Sequence, residues 1–286
     1  MTSIALRAKV NGVASVDVRE FAGRRVVWLD VVSDNRKGAL TTEASSQIEA
    51  AARAALDQRL PFVAVMNSSG ADIVEGFAAL HGWGRAAKAL TDCSGVVPTT
   101  IIVDGPAVSG PALLLGIVDH VIMTEAAYAF VSGPTMVAEF TGVQVDHDEL
   151  GGPNSHARNT GAAAVVTADI EAAIATAEHL LAFLPDHCDD EPPSWPVDDD
   201  PRRETPEAGD VIPPVSTGSY DVRDVIRSIA DDGEFLEVRP RWAANIVTCF
   251  ATVGGLPVGV VANQPVVLAG TLDIPASQKA ARFVAF

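Results

Sequence analysis

Apolar residues recur along this chain with two different periods, and the two alternate. Residues 42–60 are alanine-rich with apolar positions at helical spacing, and residues 75–90 and 170–184 repeat that pattern. Between them lie short β-branched runs of strand length: 25–32, 61–66, 96–103 (closed by Asp104-Gly105), 120–123 and 162–166. Strands alternating with helices of this length predict parallel βαβ units and an α/β fold. The pattern restarts near Tyr220-Asp221, which reads as the start of a helix over 220–230. Strands are then predicted over 235–238, 244–253 and 258–263, with Gly254-Gly255 turning between the last two. A final helix begins after Pro275 and still runs at Phe286, so this second unit reads as incomplete.

The stretch between the two patterns is different in kind. Residues 185–214 hold ten carboxylates (Asp186, Asp189, Asp190, Glu191, Asp198, Asp199, Asp200, Glu204, Glu207, Asp210) against Arg202 and Arg203, together with eight prolines. Proline removes backbone donors and like charges repel, so an extended acidic connector is expected. The chain has 286 residues, 48% of them hydrophobic, a mean hydropathy of +0.22 and a formal charge of −17. That length and composition suffice for a sizeable core. The charge argues against a nucleic-acid binder, which needs a basic face for phosphates. No apolar run reaches a membrane span and no signal-peptide pattern opens the chain, so a cytoplasmic location is expected. Cys93, Cys188 and Cys249 are few, odd in number and far apart, which suits reduced thiols and excludes a zinc ribbon.

Three glycine-bearing turns follow strands in the first unit: Asn67-Ser68-Ser69-Gly70-Ala71, Asp104-Gly105-Pro106-Ala107-Val108-Ser109-Gly110-Pro111, and Val131-Ser132-Gly133-Pro134. Small residues there let a ligand approach the backbone, and free N–H groups favour developing negative charge. Each turn alone also reads as an ordinary tight βα turn. No G-x-S-x-G motif is present and no serine or cysteine sits in a triad context. His147, in Asp146-His147-Asp148-Glu149, belongs to an acidic turn without metal-ligand spacing, and no metal site is expected. His81 and His120 read as surface or core histidines rather than bases. Chemistry without a side-chain base has to rest on backbone donors, an oxyanion hole.

Several longer motifs now fall into order: Glu75-Gly76, Ser94-Gly95-Val96-Val97-Pro98, Ser132-Gly133-Pro134, Asp148-Glu149-Leu150-Gly151-Gly152-Pro153, Tyr220-Asp221-Val222-Arg223, Val258-Gly259-Val260-Val261-Ala262-Asn263-Gln264-Pro265 and Lys279-Ala280-Ala281-Arg282-Phe283-Val284. With them the chain resembles the carboxyltransferase (beta) subunit of biotin-dependent acyl-CoA carboxylases of the propionyl-CoA/acetyl-CoA carboxylase type, from about Val10 to Phe286. The resemblance implies a crotonase-like domain over 1–184 that binds the acyl-CoA, the connector over 185–218, and the start of a second crotonase-like domain over 219–286. It implies transfer of a carboxyl group from carboxybiotin to the α-carbon of an acyl-CoA, through an enolate held by backbone amides. Biotin would sit on a partner carrier protein, another chain would supply the rest of the second domain, and the assembly would be oligomeric, usually a hexamer.

The family's enolate-holding glycine pair maps to Ser109 and Gly110, whose amides are the expected oxyanion donors. Gly70, Ala71, Gly105, Pro111 and Gly133 are expected to line the CoA cleft, with Arg36 and Lys37 toward its phosphates. Three departures qualify the match. Asp72 stands where the family has arginine, Ser109 adds a Cβ, and Pro111 lacks an N–H. With the incomplete second unit they leave open a catalytically degenerate subunit that organises a carboxylase assembly, and because an oxyanion hole serves any enolate, a biotin-independent acyl-CoA decarboxylase or other crotonase-like enzyme also stays open.

Overall fold

The structure is a computed structural model, and it describes residues 14–32, 37–215 and 218–286. The chain divides into two compact units. The first takes the described residues of Met1–His156 with Ala162–His179 and Asp186–Asp190; the second takes Ala157–Gly161, Leu180–Pro185 and the described residues of Glu191–Phe286.

The first unit is built on a seven-stranded sheet. Its strands are β1 (Ala14–Phe21), β2 (Arg24–Val31), β3 (Phe62–Ser68), β4 (Thr99–Val108), β5 (His120–Thr124), β6 (Tyr128–Phe130) and β7 (Val165–Thr167). The order is β1-β2-β3-β4-β5-β7, with β6 pairing β4 beyond β5. β1 and β2 form an antiparallel hairpin, and every other pairing is parallel, as the alternation of periods predicts. β3 and β4 run in register from Phe62↔Thr99 to Met66↔Val103 and then shift, so that Ser68 faces Ala107. Helix α1 (Thr42–Gln58) starts where the Thr41 hydroxyl accepts the Ala44 N–H at 3.1 Å. It buries Ala44, Ile48, Ala51, Ala52 and Ala55. Those small side chains let it pack closely on α2 (Phe77–Cys93), which buries Ala79, Ala86, Ala89 and Leu90. Glu49 is buried on α1 and neutralised by Arg53 and by Arg85 of α2, at 2.9 and 2.6 Å. Short helices follow: α3 (Gly110–Leu114), α4 (Pro134–Thr141), α5 (His147–Gly151) and α6 (Pro153–Ser155). The longer α7 (Ile170–Ala182) closes one face, packing Ala173 and Ala177 on Ile102 and Ile122.

The second unit holds α8 (Pro206–Asp210), α9 (Val222–Ile229), a three-stranded antiparallel sheet and α10 (Ile274–Ala285). The strands are β8 (Phe235–Glu237), β9 (Ile246–Val253) and β10 (Leu256–Asn263), in the order β10-β9-β8. Asp231 ties the β9–β10 turn, accepting the N–H groups of Gly254 and Gly255 at 2.8 Å each. Lys279 of α10 is 1% exposed and donates to the Trp242 and Ile246 carbonyls at 3.0 and 2.7 Å.

The acidic stretch is less free than its composition implies. In the first unit Asp186 pairs with Arg24 at 3.0 Å, Asp189 pairs with Arg59, and the Cys188 N–H bonds the Val96 carbonyl at 2.9 Å. In the second unit the Trp195 N–H bonds the Gly255 carbonyl at 3.0 Å, and Arg203 pairs with Asp199 at 2.6 Å. Its prolines exclude long regular elements, yet specific bonds tether it on both stretches.

Burial pushes the Lys279 ammonium down to about 8 from an unfolded value of 10.5. Between those values the unfolded chain holds a proton that the folded chain has released, so stability rises with pH across about 8 to 10.5. Lys279→Met is expected to flatten that rise by about 3 kcal/mol. Urea denaturation of both proteins at a series of pH values checks it.

Candidate active site at the ends of β3, β4 and β6

In a parallel sheet, ligands gather where the strands' carboxyl ends open into loops. Here the loop after β3 is clamped by residues 37–40. Leu40 N–H donates to Gly70 O at 2.7 Å, Asp72 N–H to Leu40 O at 2.9 Å and Ser69 N–H to Lys37 O at 3.0 Å. The buried Ser68 hydroxyl adds a bond to Gly38 O at 2.6 Å. This parallel bridge between Leu40 and Ala71 uses the groups on either side of Ala71. The Ala71 N–H therefore points the other way, and among the described residues no acceptor takes it. Gly70, at φ 106°, presses against β4. A Cβ there would lie 3.0 Å from Val108 O and 3.1 Å from Ser109 Cβ, so only glycine lets the two loops meet.

Ser109 occupies the junction between β4 and α3 with φ 62° and ψ −120°, a conformation that side chains rarely adopt. Its own N–H is not available to a ligand. It donates to Phe130 O at 2.9 Å, extending the β4–β6 pairing by one rung. The expected donor role of the Ser109 amide is thereby corrected: the ladder occupies it. Gly110 keeps its N–H without an acceptor among the described residues. The Gly110 α-carbon rests on Trp83 of α2. An added Cβ would be closest to Nε1 and 2.7 Å from both Cδ1 and Cε2, which puts it over the ring's face rather than at its edge. Glycine at 110 is a steric demand of that ring.

The other expected residues lie in the same loops with different duties. Gly105, at φ 105°, sits in the register shift against the Asn67 side chain, and Pro111 is buried at the start of α3. Gly133 precedes α4 and packs near the Phe130 ring. Lys37 is exposed and reaches the cluster through its backbone, while Arg36 lies outside the described residues. Asp72 is only 4% exposed, and its carboxylate accepts the Val74 N–H at 2.8 Å. The carboxylate that stands in for the family's arginine is thus turned into the loop, not toward solvent. Arg85 and Lys88 are engaged by Glu49 and Asp92. Cys93 and Cys249 are buried, and burial pushes their thiols up to about 11 and about 12, so neither is a thiolate near neutrality. His147 lies 5.0 and 5.4 Å from the Tyr128 and Phe130 rings, and Asp146 caps α5. No group of three metal-ligating side chains occurs among the described residues. Sequence reading missed that the Ala71 N–H is left without an acceptor and that Trp83 packs on Gly110; the signal for the first lay in the Ser68-x-Gly70-Ala71 turn, and nothing local announced the second.

Comparison with known proteins decides the family, because the model of the carboxyl transferase domain matches residues 20–286. The chain belongs to the carboxyl transferase family. It is 42% identical over 226 residues to the methylmalonyl-CoA carboxyltransferase 12S subunit of Propionibacterium freudenreichii subsp. shermanii, covering 79% of this chain and 43% of that one. The propionyl-CoA carboxylase beta chain of Roseobacter denitrificans is 39% identical over 234 residues, covering 81% and 46%. A crystal structure of the transcarboxylase 12S hexamer assembly, with hydrolyzed methylmalonyl-coenzyme A bound, superposes with a TM-score of 0.90 at 37% identity. It covers 95% of this chain and 54% of that one. The fold is therefore the crotonase-like fold of these carboxyl transferases. The chain spans about half the length of the curated relatives it matches.

Two substitutions test the local account. Ser109→Gly removes the cost of a side chain at positive φ and is expected to stabilise the chain by about 1 kcal/mol. Gly110→Ala drives a Cβ into Trp83 and is expected to destabilise by about 1–3 kcal/mol. Midpoints of chemical denaturation for the two variants should move in opposite directions.

Proposed function

We propose that this chain is the acyl-CoA half of a carboxyltransferase, moving a carboxyl group onto the α-carbon of a short acyl-CoA. The observation that carries the reading is the pair of unpartnered amides, Ala71 N–H and Gly110 N–H, at the adjoining ends of β3 and β4. Two free donors in adjoining loops suit one oxygen, the thioester oxygen that becomes an enolate oxyanion. Fixed backbone donors at such an oxygen lower the barrier by about 3–4 kcal/mol each. Gly70 and Gly105 let the loops after β3 and β4 close on one another, which fixes the two amides in place. Lys37 stands at the exposed rim for the phosphates.

In this reading residues 1–184 form the acyl-CoA domain, 185–218 the connector and 219–286 the opening of a second domain. Carboxybiotin on a carrier protein supplies the carboxyl group, and the second half-site comes from outside these 286 residues. Assembly in a ring of subunits, as the transcarboxylase 12S relative forms, fits this dependence on a partner. Membership in a family of transferases favours this over a merely structural subunit. Among the described residues no helix is long and apolar enough to cross a membrane.

The test combines the chain with a carboxybiotin-loaded carrier, a chain holding the missing half, and acetyl- or propionyl-CoA. A malonyl-type product is expected, and Gly110→Ala, which keeps the N–H but displaces it through the clash with Trp83, should lower kcat roughly 100-fold. No carboxylated product from any short acyl-CoA overturns the reading.

A further inference from the structure

We propose that the Ser109 hydroxyl is itself an acyl acceptor, taking the acyl group of a CoA thioester as a seryl ester. The proposal rests on the reading that an acyl thioester lies against the Ala71 and Gly110 amides. Four features meet at this serine. It ends a parallel strand and opens a helix, its backbone is held at φ 62° and ψ −120°, and its side chain is exposed. Among the described residues nothing hydrogen-bonds its Oγ. A strained strand-to-helix turn of this kind presents a nucleophile at the top of the sheet. Its oxyanion donors are the N–H of the next residue and an N–H from the loop of a neighbouring strand. Gly110 is the next residue and Ala71 belongs to the loop after β3, and both N–H groups are unpartnered. The serine escapes a motif search because Ala107, fully buried between Ser68 and Ala129, stands two residues before it and Pro111 two residues after it, where the motif has glycine. Strain of this kind persists where surroundings enforce it, and it collects at reactive positions.

The step is an acyl transfer. Ser109 Oγ adds to the thioester carbon and forms a C–O bond, while the carbonyl electrons move onto the oxygen facing Ala71 and Gly110. Collapse breaks the C–S bond, and the CoA thiolate leaves. The serine proton passes through water to that thiolate, so the products are the seryl ester and CoA thiol. With no imidazole bonded to Oγ, the step lacks the ~10²–10⁴-fold gain of a positioned base. Hydrolysis of the ester lacks it too. The ester is therefore expected to accumulate slowly, once per chain, rather than turn over.

The experiment incubates the full 286-residue chain with propionyl-CoA and follows thiol release, intact mass and peptide maps, beside equilibrium dialysis of the same thioester. One propionyl group per chain is expected on the peptide holding Ser109, matched by one thiol released. Ser109→Ala should lower that label at least tenfold, and Ser109→Gly, which relieves the backbone, should do the same in a chain that folds readily. A chain that binds propionyl-CoA but gains no ester overturns the proposal and leaves the acyl-CoA reading standing. A label on exposed Cys188, or one that survives in both variants, also overturns it. Neither binding nor label removes both the proposal and the reading beneath it.

Discussion

Parallel pairing of β3 with β4 determines which backbone amides reach the same edge of the sheet. The two strands begin with Met66 opposite Val103 and end with Ser68 opposite Ala107, so β4 accommodates two more residues than β3 over that interval. Beyond the last pair, Gly70 presses on Val108 O and the Ser109 side chain, which brings the two loops together. Asp104, Gly105 and Pro106 absorb the difference: Gly105 takes a positive φ, and the Asp104 carboxylate is fixed by the Thr124 hydroxyl at 2.9 Å. The meeting of the loops after β3 and β4 is thus a product of sheet register, with glycine supplying the slack.

Around those loops the structure keeps charge out of the way. Asp72 folds back on its own loop, and Glu49 is neutralised by two arginines between α1 and α2. The segments that follow β3 and β6 instead carry exposed apolar side chains, Ile73, Val74 and Phe77 in the first and Met136 and Phe140 in the second.

Much of this was legible in the residues. Alanine spacing marked α1 and α2, β-branched runs marked β2 to β5, and Gly254-Gly255 marked the hairpin of the second unit. β1 escaped notice because Asp17, Arg19 and Glu20 break its apolar signal; its partners on β2 and an ion pair from Arg19 to Asp30 hold it. β6 has three residues, too few for any period, and α4 buries none of its own, so packing could not print itself on the sequence there. The glycine-bearing turns pointed to the right loops. Which amide within them is free depends on long-range pairing: Ser109 loses its N–H to Phe130, and Ala71 keeps its own because Leu40 bonds to its neighbours. Neither fact is local, so no motif carries it.

The tethering of the acidic stretch also bears on kinetics. A loose polyanion would let counterions and chain motion blur its field, but Asp186, Asp189 and Asp199 are held in place by arginine partners while the remaining carboxylates ride on the same anchored backbone. With a formal charge of −17, the molecule presents a standing negative potential to whatever diffuses toward it. For the proposed acyl-CoA, an anionic thioester, that potential is a barrier to encounter, one that dissolved salt lowers by screening it to a Debye length of about 8 Å at physiological ionic strength. Capture of such a ligand should therefore quicken as salt is added, the reverse of the usual behaviour of a protein that collects phosphates on a basic face.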